Sequence, residues 1–326
     1  MRDFLRLLAL AAGAVGFPAA PAVAAPPLVV ASIAPLHSLA AGVTEGVSVP
    51  YLLVRGGASP HSYSLTPSDA RALSEAGLIV WVGESLEGFL DKPLATLGTR
   101  ARTLELDALG TLDILSARDA GVWKDGGDRE RHHGHGGHEG HGGRDGHEDR
   151  SRAIDPHLWL STRNAEAILA GMSAALSVID PANAALYDGN ATRMASRIAA
   201  ARGEIAAMLA PVAGRPFIVF HDAWQYFERE FGLTAAGAIS LSPERTPGAR
   251  RLVEIRNRIV EAQVRCVFAE PQFSPALVET VIRETGARSA TLDPLGADLA
   301  PGPNLYPVLI RNLARNLLSC LQDRKG

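Results

Sequence analysis

The chain is predicted to fold as α/β, in two lobes of mainly parallel sheet flanked by helices. Three observations predict this. Short apolar runs of strand length alternate with capped helical stretches, as βαβ units require. The alternation occurs twice, once on either side of one long helical stretch. The 326 residues, 47% of them hydrophobic, are enough for two domains of ordinary size with a core in each.

Residues 1–25 read as a secretory signal. Arg2 and Arg6 give a positive start, LLALAAGAVGF is a short apolar stretch, and Ala22-Val23-Ala24 has the small-x-small form of a cleavage site. The apolar run is shorter than a membrane span, and no cysteine near the cleavage point offers a lipid anchor. The expected product is soluble and exported. Its first lobe, 26–180, opens with the strand in PLVVASIAPL, followed by SVPYLLV (48–54) as a second. Thr66 then caps a helix that has Pro67 at its first position and Asp69 at its third, and LIVWVG (78–83) is a third strand.

Residues 121–152 break this pattern. They combine ten glycines with six histidines and hold no hydrophobic periodicity, so they are expected to form a disordered surface insertion. Pattern returns at DPHLWLSTRNAEAILAGMSAAL, with Ser161 as N-cap. A linking helix is expected over 181–210. Leu186, Asn190, Met194, Ile198, Ala201, Ile205 and Met208 recur there at spacings of three and four, one mostly apolar face long enough to run along both halves as a spine. The second lobe, 211–326, repeats the theme. PFIVFHDAWQYFEREFG and RCVFAEPQFSPALVETVIRETG each read as strand, helix and glycine stop. ARSATLDPLG is a strand with its loop, and NLYPVLIRNLARNLLSCL is a terminal amphipathic helix.

Charge excludes one class of partner. The formal net charge is −3 and no basic patch stands out, so nucleic acid is not expected. Export would place the two cysteines, Cys266 and Cys320, in an oxidising compartment, where they form one bridge or remain two buried thiols. A bridge would close a loop of about 55 residues, worth roughly 4 kcal/mol in the chain-entropy picture.

Histidine carries the chemistry. His132, His133, His135, His138, His141 and His147 crowd into HHGHGGHEGHGGRDGH. Imidazole is the commonest ligand for zinc, copper and nickel, and the intervening glycines let the side chains rearrange around an ion. Binding there must order the chain, so weak, fast capture is expected. The four remaining histidines are dispersed. His221 directly follows the apolar strand FIVF, and Asp293 follows SATL in the same way. Both therefore point to a crevice beyond the carboxyl ends of the strands. His61 in SPHSYSL and His157 in DPHLWL can face them from the first lobe, whereas His37 in APLHSLA is read as structural. Three histidines and one carboxylate form a four-ligand set that suits zinc, while manganese favours more oxygen.

The ordered motifs GASPHSYSLTPSDARAL, DPHLWLS, FHDAWQYFEREFGL, FAEPQF and TLDPLG resemble the periplasmic zinc-binding proteins of high-affinity zinc ABC importers. The resemblance covers nearly the whole mature chain. It implies two lobes joined by one long rigid helix, with the metal site at the lobe interface. It maps three histidine ligands onto His61, His157 and His221, and a cysteine pair onto Cys266 and Cys320. Histidine at the third ligand position, where related manganese binders carry glutamate, favours zinc. Some zinc-specific members carry a glutamate before the first histidine, but this chain has Pro60 there. Asp293 is then the expected fourth ligand, with water or Glu270 in FAEPQF as alternatives. Glu270 is read as supporting a ligand histidine rather than as binding metal.

The implied function is capture of Zn2+ as transported ligand and its delivery to the membrane permease of the importer, by a monomeric periplasmic protein that is not an enzyme. Two other functions compete. A secreted zinc hydrolase would keep one coordination position for water beside a general base, but the sequence has no His-Glu-x-x-His helix. A storage or buffering protein would work through the histidine run itself.

Overall fold

The structure, a computed structural model, describes residues 25–118, 154–240 and 246–322. The expected signal, apart from Ala25, and all six clustered histidines lie outside these residues.

The first lobe contains β1 (Val29–Ala31), α1 (Ala34–Val43), β2 (Tyr51–Leu52), α2 (Pro67–Glu75), β3 (Leu78–Trp81), α3 (Glu84–Glu87), α4 (Asp91–Thr96) and β4 (Arg102–Glu105). Its sheet has the order β2-β1-β3-β4, with every pair parallel. After α5 (Thr162–Ile179) and α6 (Ala184–Leu209) come β5 (Phe217–His221), α7 (Gln225–Phe231), β6 (Ala235–Ser240), α8 (Ala249–Glu261), β7 (Cys266–Ala269), α9 (Ala276–Ile282), β8 (Arg288–Thr291) and α10 (Leu305–Leu321). The second sheet repeats the same plan, β6-β5-β7-β8, again all parallel.

This shared order fixes where a ligand can sit. In each lobe the chain leaves the first strand toward one side of the sheet and returns on the other. A crevice therefore opens beyond the carboxyl ends of the two central strands. In the second lobe those ends are His221, the last residue of β5, and Glu270, the residue after β7.

Local chemistry sets the helix ends. Thr66 caps α2 through a reciprocal capping box with Asp69, and Pro67 occupies the first turn. Ser161 caps α5 by accepting from the Asn164 N–H. Gly232 ends α7 in the left-handed region, with φ 66°. The strands are shorter than the apolar runs suggest. PLVVASIAPL supplies strand only over Val29–Ala31 before Pro35 starts a helix, and SVPYLLV pairs only at Tyr51–Leu52, after Pro50, which has no N–H to give a ladder. β4 (RTLE) and β6 (AAGAIS) lack a conspicuous apolar run and were not anticipated.

The long helix α6 is extended by 3-10 turns at Pro181–Asn183 and Ala210–Val212. Its 26 residues span about 39 Å. It packs on α1 and α5 of the first lobe and on α10 of the second. Its buried face runs through Tyr187, Asn190, Ala191, Met194, Ile198, Ala201, Ile205 and Leu209. Leu186, expected on that face, is 41% exposed, because the apolar stripe begins one position later, at Tyr187. Close packing needs a small residue opposite: a Cβ on Gly42 of α1 would lie 3.2 Å from Met194 Cγ. One hydrophobic cluster continues through both lobes, from Val29 to Leu321. Cys266 of β7 and Cys320 of α10 are bridged, with their Cα atoms 6.0 Å apart. Among the described residues no helix is long and apolar enough to cross a membrane.

Candidate metal site

Three of the dispersed histidines converge. Among the described residues, His61, His157 and His221 form the one group of three or more His, Cys, Asp or Glu whose candidate ligand atoms all lie within 4.8 Å of one another. Each is delivered by a different device.

His61 sits on the loop between β2 and α2. That loop is fastened at its far end by the buried Asp69, whose carboxylate accepts from Tyr51 Oη (2.9 Å), Tyr63 Oη (3.0 Å) and the Thr66 N–H (2.8 Å). The His61 N–H donates to Ser59 Oγ at 3.3 Å. His157 lies just before the 3-10 turn Leu158–Leu160, which leads into Ser161 and α5. Asp155 Oδ1 accepts from both the His157 N–H (3.0 Å) and His157 Nδ1 (2.8 Å). His221 Nδ1 donates to Glu270 across the crevice, at 2.7 Å.

These two carboxylates decide the tautomers. A ring whose Nδ1–H donates to a carboxylate presents a bare Nε2 when neutral. The Nε2 atoms of His157 and His221 lie 3.1 Å apart. At that distance the two atoms share one proton, with the His221 Nε2–H donating to His157 Nε2, or ligate one cation in its place. The separation approaches the edge of a zinc tetrahedron, about 3.3 Å for Zn–N bonds of about 2.05 Å. His61 completes a triangle, with its ring centroid 5.7 Å from that of His157 and 5.8 Å from that of His221.

The surroundings are mostly apolar, with Ser59 and Gln272 as polar neighbours. Pro60, Trp159, Phe273, Pro294 and Leu295 wall the crevice, which has a cavity volume of only about 10 Å³. That space suits one ion or one water and excludes a larger solute. Trp159 Nε1–H donates to the Pro294 carbonyl at 2.8 Å and so locks the two lobes together beside the site. Burial, with the neighbouring imidazoles, holds the pKa of His61 well below the usual histidine range, and burial does the same for His157. Burial also opposes charge on His221, but Glu270 outweighs it and raises that pKa. Burial raises Asp155 to about 6, against its bond from the His157 N–H and the nearby charge of Arg118.

The structure does not bring Asp293 into the histidine group. Its Oδ1 accepts from Gln272 Nε2 and the Leu295 N–H, both at 3.0 Å, and its Oδ2 accepts from the Ala297 N–H at 2.6 Å. His37 lies elsewhere, its Nε2–H donating to the Pro50 carbonyl at 3.1 Å. Sequence reasoning did not single out Asp155. Its signal was present in the tripeptide Asp-Pro-His, which sets a carboxylate two residues before a ligand candidate.

The family described as zinc-uptake complex component A, periplasmic (ZnuA), matches residues 29–320. The chain belongs to the ZnuA family. The high-affinity zinc uptake system protein ZnuA of Brucella abortus (strain 2308) is 46% identical over 311 residues, covering 90% of this chain and 91% of that protein. The ZnuA of Yersinia pestis is 36% identical over 294 residues, with 90% and 91% covered. A solved structure of a ZnuA deletion mutant with zinc bound shares the fold, with a TM-score of 0.72 at 23% identity, covering 92% of this chain and 99% of that one. The two parallel sheets and the long helix between them are thus a ZnuA-type architecture.

Proposed function

We propose that this protein captures zinc in the periplasm and delivers it to the membrane permease of an ABC importer. The observation that carries the reading is the convergence of His61, His157 and His221 within 4.8 Å of one another, with two Nε2 atoms 3.1 Å apart and a buried carboxylate behind each of those two rings. The names of the ZnuA relatives, high-affinity zinc uptake proteins, support it. His61, His157 and His221 are the zinc ligands, drawn from the first lobe (26–180) and the second (211–326), with the helix over 181–210 as the link between them. Among the described residues no fourth His, Cys, Asp or Glu joins this group. Asp293 stands outside the group, and its three accepted hydrogen bonds, from Gln272 and the Leu295 and Ala297 N–H groups, give it the role of shaping the loop that carries Pro294 and Leu295.

Glu270 accepts from the His221 N–H and Nδ1–H, which is the part of a carboxylate that orients a ligand histidine and agrees with the transport reading. Residues 1–25 are removed on export and the mature protein acts as a monomer. The six clustered histidines gather zinc weakly and pass it to the interlobe site.

Isothermal titration with zinc tests this reading on wild type, His61→Ala and a deletion of 126–150. Wild type and the deletion should each show one tight stoichiometric site, with the weaker binding lost only in the deletion. His61→Ala should lose the tight site. Tight zinc binding that survives in His61→Ala, or disappears with the deletion, defeats the reading.

A further inference from the structure

We infer that Arg118 is a positioning residue for the metal site: its guanidinium binds the first lobe to Asp222 and Glu228 of the second and so holds His157 and His221 at ligand spacing. The inference rests on the reading of these histidines as zinc ligands.

Arg118 belongs to the first-lobe segment that follows β4. Its Nε lies 3.1 and 3.0 Å from the two Asp222 oxygens, and its Nη2 also bonds Asp222. Nη1 and Nη2 reach Glu228 at 3.2 and 2.8 Å. One planar fork is thereby filled by two carboxylates, both at most 10% exposed, an arrangement that only guanidinium geometry satisfies.

Both carboxylates belong to the scaffold of His221. Asp222 is the next residue in the chain, in a turn closed by the Ala223 N–H on the His221 carbonyl (2.9 Å). Glu228 also accepts the Ala235 N–H (3.0 Å) at the start of β6, the strand that pairs with β5 and sets Ser240 opposite His221.

The same segment of the first lobe carries the support of His157. Ser116 pairs with Ile154 in an antiparallel bridge, and the Asp155 N–H donates to the Leu115 carbonyl at 2.8 Å. Tyr226 of α7 accepts from the Leu115 N–H (3.0 Å) and donates to the Asp155 carbonyl (2.9 Å). Asp155, which orients His157, and Asp222, which adjoins His221, are thus joined through residues 115–118. Arg118 is the charged member of that joint. Without its fork the joint keeps only single hydrogen bonds, and the spacing of the two Nε2 atoms is no longer fixed from both lobes.

Two substitutions separate geometry from charge. Arg118→Lys keeps the charge but cannot fork between two carboxylates, whereas Arg118→Met keeps much of the bulk and loses both. Stopped-flow zinc release from the full chain to a chelator should be faster by about tenfold or more in both variants. The visible spectrum of the cobalt-loaded protein should change in both, since it reports the geometry at the metal. Wild-type release rates with a wild-type cobalt spectrum in folded variants overturn the inference and leave Arg118 a purely structural residue. Arg118→Lys matching wild type while Arg118→Met holds zinc more tightly also overturns it, in favour of a charge effect. If neither variant folds, Asp222→Asn, which weakens the clamp at its other end, is expected to speed release, and an unchanged rate there is equally fatal. His61→Ala, measured in parallel, separates the two claims. Tight zinc binding in His61→Ala defeats the site reading itself. Its loss there, with wild-type behaviour in the clamp variants, defeats only the role of Arg118.

Discussion

At the scale of single residues, the site depends on what stands behind the histidines. Asp155 and Glu270 each accept an Nδ1–H and leave Nε2 free for metal. Changing either to its amide keeps the shape and weakens the orientation. Asp155→Asn and Glu270→Gln should each lower zinc affinity by about 10- to 100-fold, measured by chelator competition. Asp293→Asn should lower it far less, since Asp293 is committed to Gln272 and two backbone N–H groups. A loss as large as that from His157→Ala would make Asp293 a ligand instead. The pH dependence has a definite sign. Burial keeps His61 and His157 neutral below the usual histidine range, so neither holds a proton that zinc must displace near neutrality. Burial works the same way on His221, but Glu270 prevails and its pKa is raised above 6.5. One proton therefore competes with zinc below that raised pKa. Log affinity should fall by about one per pH unit there and level off above it. A slope of about three would mean that all three rings are protonated. For the metal-free protein, the His221 shift adds stability fully present below about pH 6.5 and lost as pH rises through the folded-state pKa.

At the scale of elements, what the sequence revealed and what it hid follow from the kind of signal each element carries. Helix starts were legible because a cap is local chemistry. Thr66 with Asp69 and Ser161 with the Asn164 N–H both stand where the side chains place them. The long helix was legible from its period, with an error of phase at Leu186. β4 and β6 were not legible. RTLE is a half-exposed edge strand, and AAGAIS is buried but too small in its side chains to read as an apolar run. His221 was legible as a candidate from its position directly after a strand, and His61 and His157 joined it through the family motifs; Asp155 had a local signal in Asp-Pro-His, whereas Arg118 acts through contacts that close only when the lobes meet. The disulfide belongs to this scale too, since it ties α10 to β7, the strand that leads to Glu270. Replacing both cysteines with serine should reduce stability by about 2–4 kcal/mol in a urea titration, while zinc still binds. Similarly, Gly42→Val forces a branched side chain against Met194 across the α1–α6 contact and should cost about 1–3 kcal/mol.

At the scale of the whole molecule, one continuous core binds the two lobes into a single mechanical unit. The hydrophobic cluster runs from Val29 to Leu321, α6 packs on helices of both lobes, and Trp159 reaches the Pro294 carbonyl across the interface. A large hinge opening would have to break this continuity, so the proposed function calls for local movement of the loops that carry His61 and Pro294. The same coupling dictates how zinc affects unfolding. A ligand that binds only the folded state stabilises it by about 4 kcal/mol at a thousandfold excess over Kd, which for a chain of this size is roughly a 6 °C rise in Tm. On the proposed interlobe site, scanning calorimetry should show zinc moving the whole transition rather than one part of it. A chelator should reverse the shift. His61→Ala in the first lobe and His221→Ala in the second should each abolish it, although the two residues lie on different sheets. Two separate transitions, only one of them sensitive to zinc, would place the metal within a single lobe and refute the interlobe site.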